Sequence, residues 1–178
     1  MRYPRQPLAR IFLLIAVSLS AGCSLFEPRP VPPPPLSSVP SYDLVAAIRA
    51  AGAREKSVID VNPLRDPAVT ELQLAAQHDE QAGHYADAAN KLDQALKVSP
   101  DSPDLLQDRA EVAVWLRDFP LAEKLAQQSW SLGPKLGPLC ARNWQTIVEM
   151  RLQKRDQSGA ATAQRWVQKC HKADVPRY

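Results

Sequence analysis

Three cysteines and three histidines carry most of the covalent or metal chemistry open to this chain of 178 residues. Cys23 closes Leu19-Ser20-Ala21-Gly22-Cys23, directly after the uncharged run from Ile11 to Leu19. Arg2, Arg5 and Arg10 precede that run, and small residues lie where a signal peptidase needs them. The run is too short to cross a bilayer comfortably, so it reads as a cleaved export signal. Export brings an oxidising compartment. There Cys140 and Cys170 are an even pair that can bridge. A zinc site built on Cys140, Cys170 and His171 is the sharper alternative, but it lacks a fourth ligand and a CxxC pair. His78 and His84 stand near a turn and read as solvated or capping groups, not as an acid–base couple. There is no nucleophile elbow, HExxH, phosphate loop or GxGxxG, so catalytic residues, metal and cofactors are all expected to be absent.

The end of the export signal resembles that of a bacterial lipoprotein, in which the cysteine becomes the lipidated first residue. Ser20 holds the place where such motifs usually carry leucine, and Leu19 lies one position further back. The resemblance implies a lipid on Cys23, and Ser24 after it favours the outer membrane.

Cleavage also changes the charge. The formal net charge of +3 comes entirely from the three signal arginines, and 19 basic and 19 acidic residues remain without them. A formally neutral mature chain gives no support for nucleic-acid binding. The remaining charge is uneven. Residues 60 to 111 carry 11 acids and 4 bases, whereas residues 135 to 178 carry 3 acids and 9 bases. Such polarity could steer a partner or simply solvate a surface.

Residues 24 to 40 hold seven prolines, at 28, 30, 32, 33, 34, 35 and 40. Proline fixes φ and removes a backbone donor, so the segment reads as a polyproline tether. At ~3.1 Å per residue it reaches on the order of 50 Å. Tyr42 to Lys56 then suits a short amphipathic helix with Leu44, Val45, Ile48 and Ala51 on one face, weakened at its end by Gly52. Val58 to Leu64 looks extended or irregular, and Asp66-Pro67 marks a helix start.

Beyond that point the chain repeats. Gly83, Tyr85, Ala88, Ala95, Leu96 and Pro100 form a first unit, and Phe119, Ala122, Leu132 and Pro134 answer some 34 residues later, with Ala110 answering Ala76. This period and punctuation resemble the tetratricopeptide repeat, a stack of antiparallel helix pairs. Small alanines suit the close crossing within a pair, Tyr85 and Phe119 the gap beside the turn, and the prolines the helix ends. Leu92 occupies a usual aromatic position in the first unit, and Ala126 and Ser129 depart from the pattern in the second. A third unit fits once extra residues are allowed at 135 to 140, with Trp144 leading, Asp156 at the turn and Ala160 at the close contact. Gln164 and the missing terminal proline make it atypical, as a last repeat facing water should be.

The expected fold is therefore all-α: about three such repeats after a disordered proline-rich tether. The expected division is signal 1–22, lipidated cysteine and linker 23–41, helix and irregular segment 42–65, helical domain 66–172 and tail 173–178. Cys140 and Cys170 would lie at the adjoining ends of the third pair, where a bridge suits them. By the repeat's pattern a concave groove would be lined by Gln73, Gln77, Gln107, Glu111, Trp115, Arg142, Gln145 and Glu149. Trp115 is the natural anchor for a partner, unless the helix at 42 to 56 folds back over it.

A lipobox, a proline tether and a small repeat domain together resemble the LpoP-type lipoproteins of the outer membrane. That resemblance implies a periplasm-facing, non-enzymatic protein that binds and stimulates a bifunctional penicillin-binding protein. The membrane would be reached through the lipid on Cys23, with no nucleic acid and no small-molecule substrate involved. The alternative is a pilotin or assembly adaptor for a secretin or another outer-membrane complex.

Overall fold

The computed structural model describes residues 43–55 and 65–171. The export signal, Cys23, the proline tether, the irregular segment at 58 to 64 and the C-terminal tail lie outside the described residues.

Seven helices run in order: α1 Leu44–Ala53, α2 Pro67–Gln81, α3 Tyr85–Val98, α4 Pro103–Trp115, α5 Phe119–Leu132, α6 Pro138–Gln153 and α7 Gln157–Lys169. No strand occurs among the described residues. Each helix begins for a local reason. The Asp43 carboxylate accepts the backbone N–H groups of Val45 and Ala46, both at 3.0 Å, and thereby caps α1. Asp66, Asp118 and Asp156 cap α2, α5 and α7 in the same way. Pro67, Pro103 and Pro138 stand in the first turn of α2, α4 and α6, where a missing N–H costs nothing. Ser102 holds the N-cap position of α4 but donates its hydroxyl to Asp104, at 3.0 Å, so it does not cap by its side chain.

Helices α2–α3, α4–α5 and α6–α7 form three antiparallel pairs, each closed by one turn geometry. His84, Asp118 and Asp156 each donate a backbone N–H to the carbonyl five residues earlier, at 2.8 to 2.9 Å. The residue just before each has positive φ: Gly83 at 77°, Arg117 and Arg155 both at 61°. Only the first repeat supplies glycine, the residue with no steric objection to that region.

Small residues set the packing. Ala76, Ala88, Ala95, Ala110 and Ala122 are wholly buried at the crossings. Leu92, Leu105 and Ile147 fill the space between pairs, each contributing roughly 1.5–3 kcal/mol by burial. The atypical Ser129 has a role: its hydroxyl donates to the carbonyl of Pro103 at 2.5 Å, fastening α5 to the start of α4. The extra residues before α6 end at Gly137, whose positive φ of 85° turns its N–H onto the carbonyl of Cys170 at 2.8 Å.

Cys140 and Cys170 are joined by a disulfide, with Cα atoms 5.6 Å apart. Trp130, Trp144 and Trp166 cluster over it: Trp144 and Trp166 stack at 5.2 Å, and Trp130 meets both edge-on. No helix among the described residues is long and apolar enough to cross a membrane.

Candidate functional site

The first helices of the three pairs, α2, α4 and α6, form the inner face of the array. α1 lies on that face, packed chiefly along α6 and touching α4. Its apolar stripe, Val45, Ile48 and Ala51, is buried, with Val45 and Ile48 in a cluster with Ala113, Val114 and Met150. Gly52 does more than weaken the end of the helix. A Cβ there would fall 2.7 Å from Cγ of Arg142, so glycine is what lets α1 approach α6 this closely.

Arg49 stands beside that stripe and reaches across the array. Its Nη2 donates to Glu80 of α2 and its Nε to Glu111 of α4, both at 2.7 Å, while its guanidinium lies 4.9 Å above the Trp115 ring. Glu111 is shared. Arg142 of α6 donates to its other oxygen at 2.8 Å and to Asp108 at 2.8 Å. Gln107 adds a third donor to Glu111 at 3.0 Å and also reaches Thr146 at 2.9 Å. From Asp108 the network continues to Gln73 at 2.8 Å, and from Gln73 to Arg65 at 2.7 Å. Arg65 closes the far end on Asp104.

Electrostatics follow from this layout. Burial pulls the Arg142 guanidinium down, but the carboxylates of Glu111 and Asp108 outweigh it and hold Arg142 above the ordinary arginine value. Burial works the same way on Arg49, and Glu111 and Glu80 again prevail to raise it. Glu80 goes the other way: burial, joined by the nearby charges of Asp108 and Glu111, raises its carboxyl against the pull of Arg49. Asp104, pushed up by burial, is nevertheless held below the usual carboxylate range by Arg65.

The eight residues assigned to the groove therefore separate. Gln73, Gln107, Glu111 and Arg142 are members of one hydrogen-bonded network. Gln145 donates to Glu149 at 2.8 Å, and both are buried. Trp115 stacks on Tyr85 at 4.7 Å and lies beneath Arg49, so α1 does fold back over it. Gln77 alone of the eight is exposed. With Arg49, Glu80, Gln81 and Trp115 it lines an open hollow of about 390 Å³. Sequence reasoning missed Arg49, Glu80 and Asp108. The available signal was an arginine directly beside the apolar stripe of a short helix.

Elsewhere the polar chemistry is slight. His78 and His84 are exposed, and His84 sits at the N-cap of α3 without a side-chain bond to the helix. His171 meets Glu55 at 3.0 Å, tying the end of α7 to the residues after α1. The joined Cys140 and Cys170 offer no thiolate to a metal.

Paired helices closed by a shared turn are the geometry of the tetratricopeptide repeat, and the pattern of that repeat matches residues 80–137. The chain is LpoP-like. It is similar to the globular C-terminal domain of P. aeruginosa LpoP, with 28% identity and a TM-score of 0.55, over 59% of this chain and 99% of that domain. No protein of curated function matches the chain. The fold thus supplies a surface for protein interaction.

Proposed function

We propose that this chain is an outer-membrane lipoprotein whose repeat domain, facing the periplasm, binds and stimulates a bifunctional penicillin-binding protein. The observation that carries the reading is the likeness to the LpoP domain along nearly all of that domain's length. The lipobox ending at Cys23 and the proline-rich residues 24 to 40 support it, because a partner in the inner membrane is reached only by a tethered domain. On this reading stimulation arises from binding one state of the synthase better than another. Its role is that of an interaction module, not an enzyme.

The test uses purified residues 41 to 178 with the cognate synthase. Binding and a raised rate of glycan polymerisation or cross-linking are expected. Neither effect, together with a secretin that fails to assemble in a deletion strain, would replace this reading with that of a pilotin. The anchor is checked separately: Cys23→Ala should lose palmitate labelling and leave the membrane fraction.

A further inference from the structure

Among the described residues α1 is the one helix outside the three pairs, packed along α6 and touching α4. At ten residues it is shorter than the ~12–15 that an isolated helix needs in water, so docking maintains it. Two of its four buried positions, Ala51 and Gly52, are small. Val45 and Ile48 supply its apolar hold, and one guanidinium supplies its polar hold on α2 and α4. Arg49 is about half exposed, while the Glu80 and Glu111 side chains that receive it are 5% and 0% exposed. Receptor and ligand are therefore distinct. The inner face supplies two buried carboxylates beside an indole, and α1 supplies an apolar stripe with an arginine next to it.

We propose that α1 is a displaceable occupant of the inner face, and that the partner segment which replaces it is an amphipathic helix carrying an arginine or lysine. That helix would take Glu80, Glu111 and Trp115 over from Arg49. The charge supports a basic occupant. With Arg49 withdrawn, Glu80 loses its cation, whereas Glu111 keeps Arg142. Residues 60 to 111, which include both carboxylates, hold 11 acids and 4 bases, so an acidic helix is repelled. An occupant that must first leave lowers a partner's apparent affinity by the fraction of open molecules, which makes α1 a brake on binding. The inference rests on the interaction-module reading and names the chemistry of the partner's contact.

The experiment uses the mature chain with its tether and a fluorescein-labelled peptide of residues 42–56. Two variants dislodge α1 without altering α2 to α7. Arg49→Glu sets a carboxylate against Glu80 and Glu111, and Gly52→Leu drives a side chain into Arg142. Both variants should bind the peptide at least tenfold more tightly than the parent chain does. The same peptide carrying Arg49→Glu should not bind. Failure of both variants to capture the peptide overturns the proposal. So does loss of cooperative melting in both, which would make α1 an integral part of the fold. Hydrogen exchange then separates this idea from the choice of partner. A bound bifunctional penicillin-binding protein should accelerate exchange in 44–53. Binding with unchanged protection there removes the proposal and leaves the synthase reading intact, whereas absence of any synthase binding removes that reading and leaves the peptide result standing.

Discussion

Arg49 and Glu111 meet at 2.7 Å across 62 residues of sequence, the arginine about half in water and the carboxylate wholly out of it. Glu111 joins three elements, because Arg49 comes from α1, Arg142 from α6 and Gln107 from its own helix α4. A buried carboxylate is tolerable only with such partners. Glu111 is thus the joint on which α1, α4 and α6 meet.

Replacing Glu111 exposes that dependence. Glu111→Ala leaves Arg142 facing Asp108 alone and should destabilise the domain by about 3–5 kcal/mol. Glu111→Gln keeps its acceptor oxygen for one of the two arginines and should cost less than Glu111→Ala. Urea unfolding of the two variants gives the comparison, and equal losses would mean that packing, not charge, sets the value of this position.

Of the eight residues assigned to the groove, Gln77 is the exposed one and so probes the inner face without breaking the fold. Trp115 stacks on Tyr85, so Trp115→Ala should cost roughly 2–4 kcal/mol, and any loss of partner binding would be confounded with unfolding. Exposed Gln77 lines the hollow and has no such duty. Gln77→Ala should stay within about 0.5 kcal/mol of the parent, while Gln77→Lys weakens binding of a basic partner helix if the hollow is the contact. Isothermal titration beside thermal melting separates the two effects.

The repeats were legible because alanines, turn residues and prolines recur at a spacing fixed by helix-pair geometry. Ala76 and Ala110 are buried because the crossing has no room for more, and sequence period carries that information. The occupant of the inner face was not legible. Periodicity says which residues of α2, α4 and α6 look inward, but not what fills the space between them. Arg49 finds partners 31 and 62 residues away, which no local pattern encodes. Gly52 illustrates the ambiguity: the same residue reads as a weak helix end in sequence and as a close approach in three dimensions.

The bridge between Cys140 and Cys170 closes a sequence separation of 30 residues and joins the start of α6 to the end of α7. Cross-linking a loop of that size stabilises a fold by roughly 2–4 kcal/mol. Cys170→Ser should lower unfolding stability by that amount, and reduction of the parent should do the same. Peptide mapping without reductant should recover the linked pair from protein isolated from its native cells; two alkylatable thiols would show that the bridge does not form there.

Acid should act on the cap of α7. The Asp156 carboxylate accepts the Gly159 N–H at 2.8 Å and the Ser158 hydroxyl at 3.0 Å. The backbone bond from Gly159 is the main cause that holds Asp156 below its usual value of 3.8, with Ser158 second. In the unfolded chain these donors are gone and the group regains that usual value. Between the two values the unfolded state binds more proton than the folded one, so stability rises with pH across that window. The contribution is fully present above about 3.8 and disappears as pH falls through the lower, folded value. Other carboxylates titrate too, and Glu80, raised by burial, acts with the opposite sign. They cancel in the difference between the parent chain and Asp156→Ala. That difference, measured by urea unfolding, should be constant from pH 5 to 7 and shrink steadily below pH 4. A difference that persists unchanged at pH 2 would show that the helix is stabilised by the shape of the turn and not by the charge at its cap.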